Sequence, residues 1–320
     1  NSGMAVTSMG NNKLTWETAD QYDFGFDLGF WNGKLNMIAD IYLKNTNNLL
    51  YSMPLHGTSG FTSITSNIGS MRNYGVEFSI NGHLNIGKVN WTSSFNISHN
   101  KNKLTKLLGD DLLPIGSNRA LKVGEELGAF YLFQMDGLYQ YDGEVPQPLY
   151  DLGVRAGDVK YFDYNEDGDI SDADRMNVGK AIPDFYGGIT SNFSYKGFDL
   201  SLFGQFSVGG KVMSAWRGVN GSEGTDHLGL ALSNVKVNDR GESVEQYFNV
   251  SKEVANGYWR GEGTSNTIPR PVRIGVHTGY DYDYNVQTST RYLEDASYFK
   301  LKTVTLGYTL PESVVKKLRV

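Results

Sequence analysis

The residue order alternates between apolar and polar positions, and that alternation constrains this chain more than any other feature. Tyr22, Phe24, Phe26, Leu28 and Phe30 interleave with Asp23, Gly25, Asp27 and Gly29. After Asn32-Gly33 the pattern restarts with Leu35, Met37, Ala39, Ile41 and Leu43. It returns over Tyr74–Ile80, Val89–Ile97, Phe185–Tyr195, Phe198–Phe206 and Lys302–Leu310. Side chains two apart share one face of a strand, so each run predicts a strand with a greasy face and a polar face. The 38 glycines and the many tyrosines and phenylalanines suit an all-β chain with many turns.

The connections between the runs are of two kinds. Trp31–Gly33, Asn85–Gly87 and Lys196-Gly197 are tight, whereas 45–70, 100–122, 140–183 and 209–295 are long. Connections in compact domains run about 4–6 residues, so repeated long loops fit poorly with a soluble sandwich. Short turns at one end and long loops at the other predict an antiparallel transmembrane β-barrel with periplasmic turns and extracellular loops. Runs of about ten residues match what a tilted strand needs to cross a bilayer. The polar-face residues are small and uncharged (Gly25, Gly75, Ser79, Thr92, Ser94, Asn96, Gly188, Ser194), where a soluble sandwich would show Lys and Glu. Aromatics near the run ends, such as Tyr22, Phe30, Trp31, Tyr74, Trp91, Phe185 and Tyr195, suit an interfacial girdle. The register places Phe24, Phe26, Phe30, Leu35, Met37 and Ile41 toward lipid, and Asp27, Asp40 and Glu77 toward the lumen. No apolar run approaches the ~18–20 residues of a membrane helix.

Composition removes several function classes. The net charge of −6 opposes a nucleic-acid binder, and the lack of cysteine removes disulfide, thiolate-metal and cysteine-nucleophile chemistry. The five histidines are scattered, with no pair at metal-ligand spacing. Acidic pairs such as Asp110-Asp111, Glu125-Glu126 and Asp281/Asp283 read as solvated charge, and no catalytic constellation emerges. Gly209-Gly210-Lys211 lacks the frame of a phosphate loop. The tyrosines Tyr280, Tyr282, Tyr284 and Tyr292 suit stacking on sugars and packing of a large loop equally.

One segment carries a definite chemical signal. Asp163-Tyr164-Asn165-Glu166-Asp167-Gly168-Asp169-Ile170-Ser171-Asp172-Ala173-Asp174 follows a D-x-N-x-D-G loop with an acid at position 12. Ca²⁺ takes six to eight oxygens, and this spacing offers side chains of Asp163, Asn165, Asp167 and Asp174 with the Asp169 carbonyl. Gly168 supplies the sharp turn, and Ile170 is placed to pin the loop to its neighbours. Two departures count against the match: no amphipathic helix pair flanks the loop, and position 12 is Asp rather than Glu, a shorter carboxylate that points to a structural Ca²⁺ site filled at extracellular levels. The bland reading is an acidic surface turn, since Asp, Asn and Gly populate turns anyway.

Several stretches resemble the later barrel strands of SusC-like TonB-dependent outer-membrane transporters. They are Asn12–Glu17, Phe26–Phe30, Ala39–Thr46 with Leu49-Leu50, Asn73–Glu77, Gly157–Asp174, Ile182–Phe185, Tyr195–Ser201, Ile268–Pro271 and Asp295–Pro311. They occur in the family's order across nearly the whole chain. The resemblance implies an importer in the outer membrane of Bacteroidota that takes up a glycan or a peptide and makes or breaks no bond. It implies a SusD-like surface lipoprotein as lid and a TonB complex that acts through a plug-bearing part. The whole chain, 1–320, then corresponds to a C-terminal part of the barrel, without plug, early strands or final strands. The runs number about seven to nine, too few to close a barrel of 22 strands.

A second reading from the residues is a secreted, calcium-stabilised β-rich binding or adhesion module. A glycoside hydrolase would need two facing carboxylates about 5–10 Å apart, and no pair is supported. Topology is checked on intact cells: added protease should cut within 100–122 and 209–295 and spare the turns at Asn32-Gly33 and Asn85–Gly87. Cleavage confined to those turns would invert the orientation.

Overall fold

The computed structural model describes residues 9–109, 111–116, 118–214, 233–237, 243–247, 252–271 and 284–318. Its main element is a single antiparallel sheet of seven strands in chain order. These are β1 (Thr18–Phe30), β2 (Leu35–Pro54), β3 (Ser63–Ile86), β4 (Val89–Leu107), β5 (Phe185–Tyr195), β6 (Phe198–Val208) and β7 (Tyr298–Tyr308). Each strand pairs with its predecessor and successor, and β1 and β7 stand at the two open edges. Among the described residues no helix is long and apolar enough to cross a membrane, which says nothing about strands.

The register keeps the alternation in phase from strand to strand. One row across the sheet reads Phe26, Ala39, Phe78, Ile97, Gly187, Phe206 and Phe299. The next reads Leu28, Met37, Ile80, Phe95, Ile189, Gly204 and Leu301. A one-residue slip anywhere would turn a strand's apolar set onto the polar face, so the pattern itself specifies the pairing. These side chains are open or half-buried although they are apolar: Phe26 is 48% exposed and Ile189 41%, and Met37, Phe78, Ile80 and Phe95 are half-buried. A continuous apolar surface across seven strands is far more than a soluble monomer leaves uncovered, and a bilayer accounts for it. A soluble sandwich would bury that face.

The opposite face is polar. Asp40 pairs Gly25 on one side and Glu77 on the other, and Asp27 shares their face, as the alternation predicts. A relay crosses this face: the Tyr42 hydroxyl donates to Asn100 Oδ1 at 2.5 Å, and Asn100 Nδ2 donates to the Tyr186 hydroxyl at 2.6 Å. Gly75, between Tyr42 and Asn100, makes this possible. A Cβ there would lie 2.5 Å from both the Tyr42 ring and Asn100 Oδ1.

The strands are longer than the alternation indicates. β2, β3 and β4 run 20, 24 and 19 residues, roughly double what crosses a bilayer. The segments 45–70 and 100–122 are therefore mostly not loops: the β2–β3 connection is only 55–62, and β4 is paired to Leu107. Outside hydrocarbon neither face has to be apolar, so the alternation stops while the backbone ladder continues. Bulges around Asn48, whose φ is +56°, shift the register where the pattern lapses. The projecting ends are covered by a small sheet of 112–115, 119–122, 129–132 and 176–180, with Ile68, Leu104, Leu107 and Leu121 between. The segment 140–183 likewise contains short elements, including a helix at Gln147–Asp151 and the strands Val159–Tyr161 and Met176–Lys180. Part of 209–295 lies outside the described residues.

All three tight turns, Trp31–Lys34, Gly87-Lys88 and Lys196-Gly197, lie at one end of the sheet, and every long connection leaves from the other. Phe26→Arg places a charge on the apolar face and should cost ~2–4 kcal/mol if the position lies at the bilayer midplane. Folding of the full-length receptor into lipid vesicles, followed by urea titration, measures this. Stability equal to wild type would show that Phe26 faces away from lipid.

Candidate functional site

The end of the sheet with long connections carries the chemistry. There Phe133, Leu138, Tyr139, Leu149, Val154, Val159, Tyr161 and Tyr284 form a compact apolar core beyond the strands. Burial pushes the Tyr161 phenol well above its ordinary value, so it stays protonated and donates to the Tyr284 carbonyl at 2.8 Å. Tyr139 is shifted the same way by the same cause. Of the tyrosine cluster read from the sequence, Tyr284 and Tyr292 are buried and serve packing, while Tyr280 and Tyr282 lie outside the described residues.

A buried carboxylate ties distant segments of this end together. Asp158 is 4% exposed and receives four donors. Arg270 clamps it with Nε at 2.7 Å and Nη2 at 2.8 Å, Asn285 Nδ2 donates at 2.8 Å, and the Arg155 backbone N–H donates at 2.8 Å. A two-pronged guanidinium–carboxylate pair fixes direction as well as distance. The adjoining Gly157 has a φ of +88°, and a Cβ on it would stand 2.4 Å from the Trp259 ring. Pattern reading along the chain does not reveal this clamp, because its members are 112 and 127 residues apart. Its only local trace is an Arg held between Pro269 and Pro271.

The loop from Asp163 to Asp174 hangs on the same core, with Ile170 packed against it. Asp163 Oδ1 and Asn165 Oδ1 both accept the Asp167 N–H, at 3.3 and 3.1 Å, so positions 1 and 3 converge on one point. Asp163 Oδ2 accepts the Gly168 N–H at 2.8 Å, and Asn165 Nδ2 donates to Asp167 Oδ2 at 2.7 Å. Gly168 turns the chain at a φ of +83°. The side chain of Asp169 caps its own neighbour, accepting the Ile170 N–H at 2.8 Å. Asp174 binds backbone at both ends of the loop. It is fully buried, its Oδ1 accepts the N–H of Tyr164 at 2.9 Å and of Asn165 at 3.4 Å, and its Oδ2 accepts that of Ser171 at 2.8 Å. It closes the loop by tying the loop's start to its end. Among the described residues no three His, Cys, Asp or Glu side chains gather as a metal's ligands.

Lys180 stands where this layer meets the sheet, 2.7 Å from Asp184 and 3.2 Å from Glu126. Burial alone would lower its pKa, but the two carboxylates outweigh it and raise it, so the ammonium persists.

Comparison with known proteins places this architecture. A family model described as "TonB dependent receptor-like, beta-barrel" matches residues 1–185, more than half of the chain. TonB-dependent receptor P3 of Formosa agariphila is 32% identical over 99% of this chain and 29% of its own length. TonB-dependent receptor SusC of Bacteroides thetaiotaomicron is 29% identical over 93% of this chain and 26% of its own. The chain thus spans less than a third of the length of the curated relatives it matches. A solved structure described as the RagAB peptide transporter superposes with a TM-score of 0.69, at 24% identity, over 98% of this chain and 31% of that one, a likeness of fold. The relatives are receptors and transporters rather than enzymes. The apolar surface of the sheet, the tight turns gathered at one end and the family match agree: this chain is a β-barrel portion belonging to the TonB-dependent receptor family of the outer membrane.

Proposed function

We propose that the chain forms part of the wall and the outer rim of a SusC-like importer that carries a glycan or a peptide across the outer membrane. The observation that carries this reading is the asymmetry of the sheet. An apolar outer face and a polar inner face run across all seven strands, and among the described residues a built layer stands over one end only. A pore wall needs the first, and a mouth that admits selected solutes needs the second. A SusD-like surface lipoprotein closes over that layer as a lid, and a TonB complex supplies energy through parts of the receptor beyond this chain. The likeness of fold to a structure described as a peptide transporter supports the peptide class, and the glycan class rests on the resemblance to SusC-like transporters. Growth of a strain lacking the full-length gene, on single glycans and on peptides, tests the reading. Loss of growth on one class, restored by the gene, is expected; unchanged growth on all of them removes the import role.

The loop Asp163–Asp174 takes one Ca²⁺ in this reading. Asp163, Asn165 and Asp167 supply side-chain oxygens and Asp169 its carbonyl, a hard donor set suited to calcium. A carboxylate has about four acceptor sites. Asp174 uses three on backbone N–H groups, which leaves one on Oδ2 for the ion. Like-charged side chains that crowd one loop repel each other, and a divalent cation reverses that term. Limited proteolysis of the full-length receptor with and without a calcium chelator checks this. Chelation should speed cleavage near Asn165, and Asp163→Ala with Asp167→Ala should make cleavage fast and insensitive to chelator while the barrel stays folded. Identical digests with and without chelator would count against the ion.

A further inference from the structure

The apolar face has a hollow at the end of the tight turns. Its floor is the row Gly82 and Ser93, where the rows on either side carry Ile80 with Phe95 and Leu84 with Trp91. A cavity of about 410 Å³ opens there, walled by Trp31, Leu35, Leu84 and Trp91 and headed by Lys34. At Gly82 an added Cβ would meet nothing nearer than the tip of Leu35 at 4.0 Å, so the space is open. The polar atoms beneath and beside the floor are engaged with the protein. Ser93 Oγ donates to the Thr190 carbonyl at 2.9 Å, and Trp91 Nε1 donates to Ser191 Oγ at 2.7 Å. The hollow therefore offers hydrocarbon contact rather than hydrogen bonds.

Its outer end is cationic. Each of the three tight turns carries one lysine (Lys34, Lys88 and Lys196) and no acid. The two turns flanking the hollow hold Lys34 and Lys88, and Trp31 and Trp91 stand at the same level. Tryptophan and lysine at a barrel rim mark the depth of the headgroups. From Leu84 and Trp91 to Ile80 and Phe95 is four residues, about 13 Å along a strand, so the hollow runs inward from headgroup depth.

We propose that this hollow is a specific site for one glycerophospholipid of the leaflet on the tight-turn side. One acyl chain lies over Gly82 between the flanking rows, and the phosphate pairs with Lys34. A flat barrel wall contacts lipid everywhere but holds none in particular. A recess with a cation at its mouth matches one molecule in shape and in charge.

The test uses the full-length receptor in mild detergent, titrated with phosphatidylglycerol and read by native mass spectrometry under conditions that strip bulk lipid. Wild type should retain one phosphatidylglycerol. Gly82→Trp, which fills the recess, should weaken retention about tenfold, and Lys34→Glu should weaken it in the same direction. Leu306→Trp, on the same face but far from the recess, should retain it as wild type does. Equal retention by wild type and Gly82→Trp, or equal retention of uncharged diacylglycerol, overturns the proposal. If Gly82→Trp does not fold, Lys34→Glu in its exposed turn decides, and unchanged retention there overturns it.

Discussion

Hydrocarbon offers no hydrogen-bond partner, so a chain that crosses it must satisfy every backbone N–H and C=O within itself. The rest of this structure depends on that constraint. It selects an unbroken ladder of neighbours from β1 to β7, and it requires each strand to turn its apolar residues the same way. It also explains the economy of the polar face. Small residues such as Gly75 let Tyr42 and Asn100 approach closely, and the polar side chains there find partners in one another. Where the constraint ends, the sequence changes character. Past Lys44 the ladder continues without alternation, and apolar residues such as Ile68 and Leu104 begin to pack as an ordinary core.

Beyond the membrane a different physics holds the molecule together. The layer over the long end has few long strands, so it relies on a compact core and on buried carboxylates, Asp158 above all. Asp158 takes a charge-assisted pair of bonds from Arg270 and further bonds from Asn285 and Arg155. Removing one partner of such a buried pair leaves an unpaired charge, which is why single clamps of this kind hold several loops at once. The Asp163–Asp174 loop shares that core through Ile170, and Lys180 joins the layer to β5 through Asp184. A displacement of this layer would therefore act on a connected body rather than on separate loops.

The two ends of the sheet divide the labour in chemical terms. One is short, cationic at its turns and lined with aromatic side chains, which suits anchorage in headgroups. The other is acidic and hydrogen-bonded in its loop Asp163–Asp174, and built to present a shaped surface.

Much of this was legible in the order of residues. The period-two runs, the direction of Phe26 and Asp40, the three tight turns and the curl of Asp163, Asn165 and Gly168 all follow from local rules, because strand faces and turns are set by near neighbours. The strand ends were not legible. In β2 to β4 the bilayer no longer dictates which face is apolar, so Thr, Asn and Ser continue as strand without a signature. Nor was the turning of Asp174 into its own backbone visible, since that depends on where Tyr164 and Ser171 come to lie. The Asp158–Arg270–Asn285 clamp and the recess over Gly82 exist only across strands and loops far apart in sequence. Local alternation determined that this chain makes a two-faced sheet; tertiary pairing alone decided which side chains meet, because burial and hydrogen bonding at a distance are properties of the assembled structure.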